Sequence, residues 1–332
     1  MQMADLDVSV YVITYFHEQY IEQALESVLS QKTHYKYEIV VSDDGSTDRT
    51  MEILRKYEKK YPNIIRVYHN EENLGIAKNI YLARCYCRGR YIIPLAGDDY
   101  WINNYKIEKQ VSFLEAHKEY IAVGNVIELR YDNDLKAFDV LPKPKERNKV
   151  FSMKNYEKGE TFYAHGFVMR NLFLTRKGRK YFGQARKISD KVDDAIDIVL
   201  LLKIGKIFIM NIVTNVYRVP RSNANQNNYN SKFSREEKFK NSVDNYNNLY
   251  KAFGKEVNLK NKFVNCFSVG FVIALVSRNF KSFIKTYNTI PIEYRSPFYK
   301  GVFVKCLPGS LRFCIKRLYN EIKKRGKRYA GN

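Results

Sequence analysis

Short apolar runs alternate with segments of helical periodicity along the first hundred residues, and this alternation leaves few folds open. Residues 8–13, 37–41, 64–68 and 91–95 have the length and β-branched content of buried strands. Between them, apolar residues recur at three- and four-residue spacing, as in residues 18–30, which indicates amphipathic helices. Repeated strand–helix units of this length predict an α/β fold with a mostly parallel, doubly wound sheet.

The remaining elements follow from the same patterns. Thr47 is the predicted N-cap of a helix over residues 47–61. The polar, proline-containing stretch of residues 132–148 predicts a loop. The other predicted helices are residues 75–87, 106–117 and 193–204, and the other predicted strands are residues 121–131 and 207–217.

Adjacent aspartates occur three times, at Asp43-Asp44, Asp98-Asp99 and Asp193-Asp194. The first two pairs directly follow predicted strands, at the carboxyl ends where doubly wound sheets bind ligands. One pair before Gly-Ser can simply form an Asx-turn. Several carboxylates at one sheet edge are instead suited to a divalent cation, with diphosphate oxygens completing its shell.

The order of the motifs around these pairs resembles that of the family 2 glycosyltransferases, which have the GT-A fold. The resemblance covers about residues 6–222. The matching segments are residues 8–15 (VSVYVITY), 27–31 (SVLSQ), 41–48 (VSDDGSTD), 73–75 (NLG), 78–79 (KN), 89–92 (GRYI), 97–101 (GDDYW), 193–194 (DD), 205–207 (GKI) and 216–219 (VYRV).

The resemblance implies a Rossmann-related, GT-A-like domain at residues 1–222 that binds a nucleotide-sugar. The residues implied to bind it are Thr14, Tyr15, Asp44, Asn73, Lys78, Asn79, Asp98 and Asp99. Of these, Thr14 and Tyr15 would line the base pocket, and Asp44 would accept a hydrogen bond from the base. Because that base is usually uracil or guanine in this family, the predicted donor is UDP- or GDP-linked.

The resemblance also implies a metal site. Asp98 matches the last acid of the family's Asp-x-Asp motif, and Asp98 and Asp99 would together hold Mn²⁺ or Mg²⁺ and the ribose. Lys78, near Asn73 and Asn79 at the nucleotide sugar, would act as a point charge for phosphate. The sequence departs from the family at two positions, where Ala96 replaces the first acid and Phe16 replaces the usual Asn.

Asp194 matches the family's catalytic base, which takes the proton of the acceptor hydroxyl in an inverting transfer. Asp193 as an N-cap and Asp197 one turn later are the alternatives on the same helix. His165 is a candidate on the acceptor side, although a lone histidine is more often structural. Two further candidates, for the diphosphate, are Arg218 and Arg221. The remaining histidines are interpreted as surface or packing residues.

The positive charge is concentrated at the C-terminal end of the chain. The net charge is +22, and residues 231–332 contribute +16 of it. Within the predicted helical region of residues 223–332, residues 310–328 combine basic side chains with apolar ones at helical spacing. Such a helix is suited to an anionic membrane surface. The alternative is a solvated helix that packs on its own domain.

The sequence therefore predicts an inverting, metal-dependent glycosyltransferase of bacterial surface-glycan synthesis, acting on a lipid-linked or glycan acceptor. The sequence has no apolar window long enough to span a bilayer and no secretory signal. Its five cysteines are too few for a disulfide-stabilised scaffold. We therefore expect a cytoplasmic protein on the inner face of the plasma membrane. The alternatives are a nucleic-acid-binding protein and an inactive glycan-binding relative. No nucleic-acid partner is predicted, because the charge avoids the motif-bearing domain.

Overall fold

A computed structural model of the protein describes residues 6–132, 134–188, 194–219 and 233–295. Its strands are β1 (Val8–Thr14), β2 (Tyr37–Asp43), β3 (Ile65–His69), β4 (Tyr91–Ala96), β5 (Tyr100–Trp101), β6 (Tyr120–Tyr131), β7 (Asp139–Leu141), β8 (Lys149–Phe151), β9 (Val168–Arg170) and β10 (Lys206–Val219). Its helices are α1 (Ile21–Leu29), α2 (Thr50–Lys60), α3 (Ile76–Tyr86), α4 (Lys106–Ala116), α5 (Met153–Glu157), α6 (Arg176–Ile188), α7 (Asp194–Leu202), α8 (Arg235–Phe253), α9 (Lys260–Ser277), α10 (Phe280–Tyr287) and α11 (Ile292–Arg295).

One half of the sheet is parallel. Strands β3, β2, β1 and β4 lie side by side in that order, and each neighbouring pair is parallel. Thr14 pairs with Asp43 and Ile13 pairs with Ala96, so β1, β2 and β4 end at one edge of the sheet. The predicted α/β class, with a mostly parallel sheet followed by C-terminal helices, is confirmed.

The parallel strands form because their apolar runs are covered on both faces. The side chains of Val8, Val10 and Val12 in β1 have no exposed surface, and Leu25 and Val28 of α1 are equally buried. Burying each such side chain stabilises the fold by about 1.5–3 kcal/mol relative to leaving it in water. The strand ends are therefore held on a rigid core.

The other half of the sheet is mixed. Strand β9 lies between β4 and β6 and is antiparallel to both, whereas β6 and β10 are parallel. The short strand β5 pairs antiparallel with β10, with Trp101 opposite Asn215 and Tyr100 opposite Val216. The chain between β4 and β5 is thus attached to the sheet at both ends.

Two local predictions were wrong. The stretch predicted as a loop at residues 132–148 contains β7 and a 3₁₀ turn over Pro144–Glu146. A strand of three residues is too short to show a period of two, so the sequence gives no signal for it. Thr47 does not cap α2, which begins at Thr50; instead Oδ1 of Asp48 accepts a hydrogen bond from the Thr50 N–H at 3.1 Å.

The described residues divide into two compact units. The first contains the residues up to Ser234 together with Asn248–Asn258, and the second contains Arg235–Asn247 and the residues from Leu259 onward. The predicted boundary after residue 222 and the predicted helix at residues 310–328 lie outside the described residues. The division into residues 1–222 and 223–332 stays a prediction. No helix within the described ranges has the length and apolarity needed to cross a membrane.

Candidate functional site

The ends of β1 and β2 form the first part of the site. The Asp44 N–H donates to the Thr14 carbonyl at 2.9 Å, which fixes the two strand ends to each other. Thr14 is 2% exposed, and its Oγ1 is buried without a hydrogen-bond partner among the described residues. A buried hydroxyl without a partner costs free energy, so this position is suited to a ligand that supplies the missing bond.

The loop after β1 is strained at Phe16. Its φ is 56°, in the left-handed region that Asn adopts more readily than Phe. This geometry gives a physical reason for the Asn that the related family usually carries here. The Phe16 N–H donates to Ser46 Oγ at 2.9 Å, and the Tyr15 ring contacts the Phe16 ring edge-on at 4.3 Å between centroids. The loop is therefore held by the side chain of Ser46, which lies just after β2.

The two aspartates after β2 have different roles. The Asp43 carboxylate is fully buried and accepts from the Ser46 N–H at 2.9 Å, with His69 Nδ1 2.8 Å away. Asp43 is thus the turn-forming residue that the Asx-turn interpretation describes. Oδ1 of Asp44 accepts from the Leu74 N–H at 3.0 Å and from Asn70 Nδ2 at 3.0 Å. Asp44 fixes the segment that leads to α3.

The three residues predicted near α3 are placed differently. Asn73 is exposed, and its Oδ1 accepts from the Gly75 N–H at 2.9 Å, just before α3 begins. Lys78 is exposed on the first turn of the helix. Asn79 is buried, and its amide donates to the Ser42 carbonyl at 3.0 Å while its Oδ1 accepts from Ser42 Oγ at 2.6 Å. Asn79 therefore ties α3 to β2.

The second aspartate pair lies in the acid loop, which we define as residues 97–99. The Gly97 N–H donates to the Ile13 carbonyl at 2.8 Å, so the loop begins beside the end of β1. The Asp98 side chain is 19% exposed, whereas Asp99 is 5% exposed and accepts from the Arg218 N–H at 2.9 Å. Burial, followed by the charge of Asp98, raises the pKa of the Asp99 carboxyl well above its usual value. Asp98 is the accessible acid of the pair.

Arg218 fastens the acid loop to the rest of the domain. Its guanidinium donates to the Asp98 carbonyl and to Gln23 Oε1. The guanidinium carbon lies 4.8 Å from the Tyr20 ring centroid and 4.6 Å from that of Tyr100, both within cation–π range. Arg218, a predicted diphosphate contact, thus has two of its donors engaged within the protein. Arg221 lies outside the described residues.

Two residues that the sequence did not single out lie near Asp98. His17 Nε2 is 4.0 Å from Asp98 Oδ2, and the His17 N–H donates to Thr50 Oγ1 at 3.0 Å. Burial raises the pKa of the Asp132 carboxyl. The charge of Arg218 partly offsets this rise, and the charge of Asp98 adds to it. Both residues closely follow strand ends, His17 after β1 and Asp132 directly after β6. Strand ends were the signal by which they could have been found.

The helix α7 carries the predicted catalytic base. Asp194 is its first residue, and Asp193 lies outside the described residues. Asp197 Oδ2 forms an ion pair at 2.7 Å with Arg84 Nη2, and Arg84 Nε donates to the Tyr11 hydroxyl at 3.0 Å. Burial raises the pKa of Tyr11 to about 12. Asp197 therefore neutralises a buried arginine, and its carboxylate is engaged within the protein.

His165, the acceptor-side candidate, packs its ring edge-on against Tyr217, with 4.6 Å between the centroids. Gly166, the next residue, has a φ of 68° and lies against Asn215, so any added side chain would clash there. The backbone at Gly166 therefore packs directly against the Asn215 side chain of β10.

The residues around the acid loop fit one mode of metal binding. Within the described ranges, no group of three or more His, Cys, Asp or Glu side chains has the arrangement of a complete protein metal site. Mg²⁺, however, is commonly held by one or two carboxylates together with substrate phosphates. The accessible Asp98 carboxylate suits that mode, because bound diphosphate oxygens would supply the ligands that the protein does not.

Comparison with known proteins agrees with this fold. Residues 9–177 match the family model described as Glycosyl transferase family 2. The Escherichia coli protein named UDP-Glc:alpha-D-GlcNAc-diphosphoundecaprenol beta-1,3-glucosyltransferase WfaP is 30% identical over 223 residues, which cover 67% of this chain and 81% of that protein.

Two further comparisons set the limits of the likeness. An uncharacterised Mycobacterium tuberculosis protein is 28% identical over 173 residues, which are 52% of this chain. The match spans 48% of that relative's length. The structure of S. aureus TarS residues 1–349 with UDP-GlcNAc matches with a TM-score of 0.61 and 18% identity, covering 87% of this chain and 83% of that one. At that identity the match concerns the fold alone.

Proposed function

This chain belongs to glycosyl transferase family 2, and we propose that it transfers a sugar from a nucleotide diphosphate sugar to an acceptor hydroxyl in bacterial surface-glycan synthesis. The observation that carries the proposal is the meeting of three strand ends, which brings Thr14, Asp44 and the acid loop to one sheet edge. Nucleotides bind at this edge in doubly wound sheets. The same edge carries the family's donor motifs.

We propose a UDP-linked donor, with GDP as the alternative base. The support is the name of the E. coli relative, which specifies UDP-Glc as that protein's donor. Oδ1 of Asp44 is occupied by Leu74 and Asn70, so its other oxygen would accept from the base. The unpartnered Thr14 hydroxyl would gain a hydrogen bond in the same pocket. Tyr15 would offer its ring to the base.

The proposed reaction inverts the anomeric carbon. The Asp194 carboxylate takes the proton from the acceptor hydroxyl as that oxygen forms a bond to the anomeric carbon. The bond from the anomeric carbon to the donor phosphate oxygen breaks on the opposite face, and its electron pair leaves with the nucleoside diphosphate. A carboxylate is suited to this role because it is ionised at neutral pH. In the inverting reaction it acts only as a base and does not attack the anomeric carbon.

A divalent cation, Mn²⁺ or Mg²⁺, would be held by Asp98 and by the diphosphate. Bound there, the cation would neutralise the negative charge that develops on the leaving diphosphate. Asp99 would hold the acid loop in place rather than contact the cation, because its carboxyl is buried and accepts from the Arg218 N–H. Ala96 supplies no carboxylate, so Asp98 carries more of the binding than it would in a two-acid site.

The proposed acceptor is a lipid-linked glycan, because the name of the E. coli relative specifies a diphosphoundecaprenol-linked acceptor for that protein. Such an acceptor presents its sugar at a membrane surface. We therefore propose that the enzyme works in the cytoplasm at the anionic inner face of the plasma membrane. The basic residues at 310–328, which lie outside the described residues, would add electrostatic attraction to that surface.

Calorimetric titration with UDP and GDP, each with and without Mn²⁺, tests the donor site. We expect UDP to bind more tightly than GDP. We also expect Mn²⁺ to raise the affinity for UDP by about tenfold or more. Absence of binding by both nucleotides would overturn the proposal. Tighter binding of nucleic acid than of either nucleotide would revive the alternative of a nucleic-acid-binding protein.

A second prediction concerns Arg218. Arg218→Lys keeps the charge but loses the planar fork and the stacking between Tyr20 and Tyr100. We expect the Mn²⁺-dependent affinity for UDP to fall about tenfold, as for other residues that orient a metal ligand, while the metal-free affinity changes little. Equal weakening of both affinities in the titration would mean that Arg218 supports only the fold.

A further inference from the structure

The helix α9 is apolar around most of its circumference, yet only part of that surface is covered. Phe263, Phe271 and Ala274 are buried, and Phe271 contacts Phe283 of α10 with 5.9 Å between ring centroids. Gly270 lies so close to Phe239 that an added Cβ would be 2.3 Å from the ring. One face of α9 is thus packed within its own helical unit.

The opposite face carries an exposed valine stripe. Val269, Val272 and Val276 are 57%, 52% and 71% exposed. Their spacing of three and then four residues places them in one narrow arc of the helix. Single exposed apolar residues are common on proteins, but a continuous stripe on an otherwise apolar helix is typical of a surface that contacts a partner.

The net charge of the segment that carries the valine stripe indicates which partner. Residues 259–295 contain one acidic residue, Glu293, and six basic ones, a net charge of +5. Three of the basic residues, Arg278, Lys281 and Lys285, are exposed at the end of α9 and along α10. A second copy of this chain would bring like charge against like charge, whereas an anionic lipid surface satisfies both the apolar stripe and the cations.

We propose that the valine stripe of α9 lies in the interfacial layer of an anionic phospholipid membrane, with the helix parallel to the surface. The valine side chains enter the boundary between headgroups and acyl chains, and the positive charge of residues 259–295 attracts the helical segment to lipid phosphates. This inference gives the membrane association in the proposed function a surface among the described residues. It does not depend on which sugar is transferred.

The test replaces two valines of the stripe with lysine in the full chain, as Val269→Lys with Val272→Lys. Because the substitution adds positive charge, purely electrostatic binding would become tighter, whereas binding through apolar insertion becomes weaker. We expect the double variant to partition about tenfold less onto vesicles of phosphatidylcholine with phosphatidylglycerol. Sedimentation over a lipid series measures this, and pure phosphatidylcholine vesicles measure the contribution of lipid charge.

A matched control makes the same change elsewhere. Val150 and Ile204, both in the first unit, are 39% and 45% exposed, so Val150→Lys with Ile204→Lys removes similar apolar surface and adds the same charge. We expect this control to bind anionic vesicles at least as tightly as the unchanged protein. Unchanged or tighter binding of the α9 variant would overturn the proposal. So would an oligomer that forms without lipid and that the α9 variant dissociates, because the stripe would then be a protein interface.

The same proteins separate this proposal from the proposed function. UDP titration of the α9 variant reports on folding of the first unit and on the donor site. Normal vesicle binding without any nucleotide binding would overturn the donor proposal alone. Normal nucleotide binding with unaltered vesicle binding of the α9 variant would overturn the membrane proposal alone.

Discussion

Asp194→Asn is expected to lower turnover by about a hundredfold or more while leaving the affinity for the donor almost unchanged. Asn has nearly the size of Asp, but its neutral amide cannot take up the proton of the acceptor hydroxyl. The loss therefore falls on the chemical step. Steady-state kinetics with a lipid-linked acceptor, combined with UDP titration, separates the two effects.

Asp197→Asn is the matched control on the same helix. Asp197 pairs with the buried Arg84, so losing its charge should lower the free energy of unfolding by about 1–2 kcal/mol. Turnover below the unfolding transition should change far less than in Asp194→Asn. The reverse pattern, with near-normal turnover in Asp194→Asn, would move the role of base to another residue. A product whose anomer retains the donor configuration by NMR would contradict the proposed mechanism altogether.

Asp98→Asn is expected to remove the Mn²⁺-dependent part of donor binding. Residues that merely orient a metal ligand contribute about 10–100-fold to metal affinity, so loss of a direct ligand should cost about a hundredfold. The metal-free affinity for UDP should persist, because Thr14 and Asp44 do not depend on the cation. Titration with UDP at several Mn²⁺ concentrations measures both affinities on one protein.

The control for this variant is Asp139→Asn, which removes a partly exposed acid of the same domain that pairs with Lys143 and accepts from the Val140 N–H. It should bind UDP and Mn²⁺ as the unchanged protein does. If Asp98→Asn binds with full Mn²⁺ dependence, the cation site lies elsewhere or the donor binds without one.

The parallel half of the fold could be predicted from the sequence for a simple physical reason. Strands covered on both faces must be apolar throughout, so β1, β2 and β4 appear as continuous apolar runs. Parallel strands also end at the same edge. The position of Asp44 and Asp98 at one edge therefore followed from chain order alone.

The mixed half could not be predicted in the same way. Strands β5 and β9 have two and three residues, too few to show any periodicity, and their pairing depends on partners far away in sequence. The contacts of Arg218 arise from the pairing of β5 with β10, which joins residues more than a hundred positions apart. The sequence marked Arg218 only as a cation near a diphosphate site.

The aspartate pairs show a second limit. Asp43 and Asp44 are chemically identical neighbours, but one is enclosed by Ser46 and His69 and the other reaches toward α3. Which partners each of two adjacent buried side chains meets depends on the backbone angles at the end of the strand. Composition and spacing carry no information about those angles.

The attachment of the acid loop to β10 has a consequence for the thermodynamics of donor capture. Its backbone is fixed by Ile13, by the pairing of Tyr100 with Val216 and by Arg218 before any nucleotide arrives. The conformational entropy lost by residues 97–99 is therefore paid when the chain folds rather than when the donor binds. In the proposed function the donor would therefore meet an acid loop that is already ordered, and its binding would not have to supply the free energy of ordering residues 97–99.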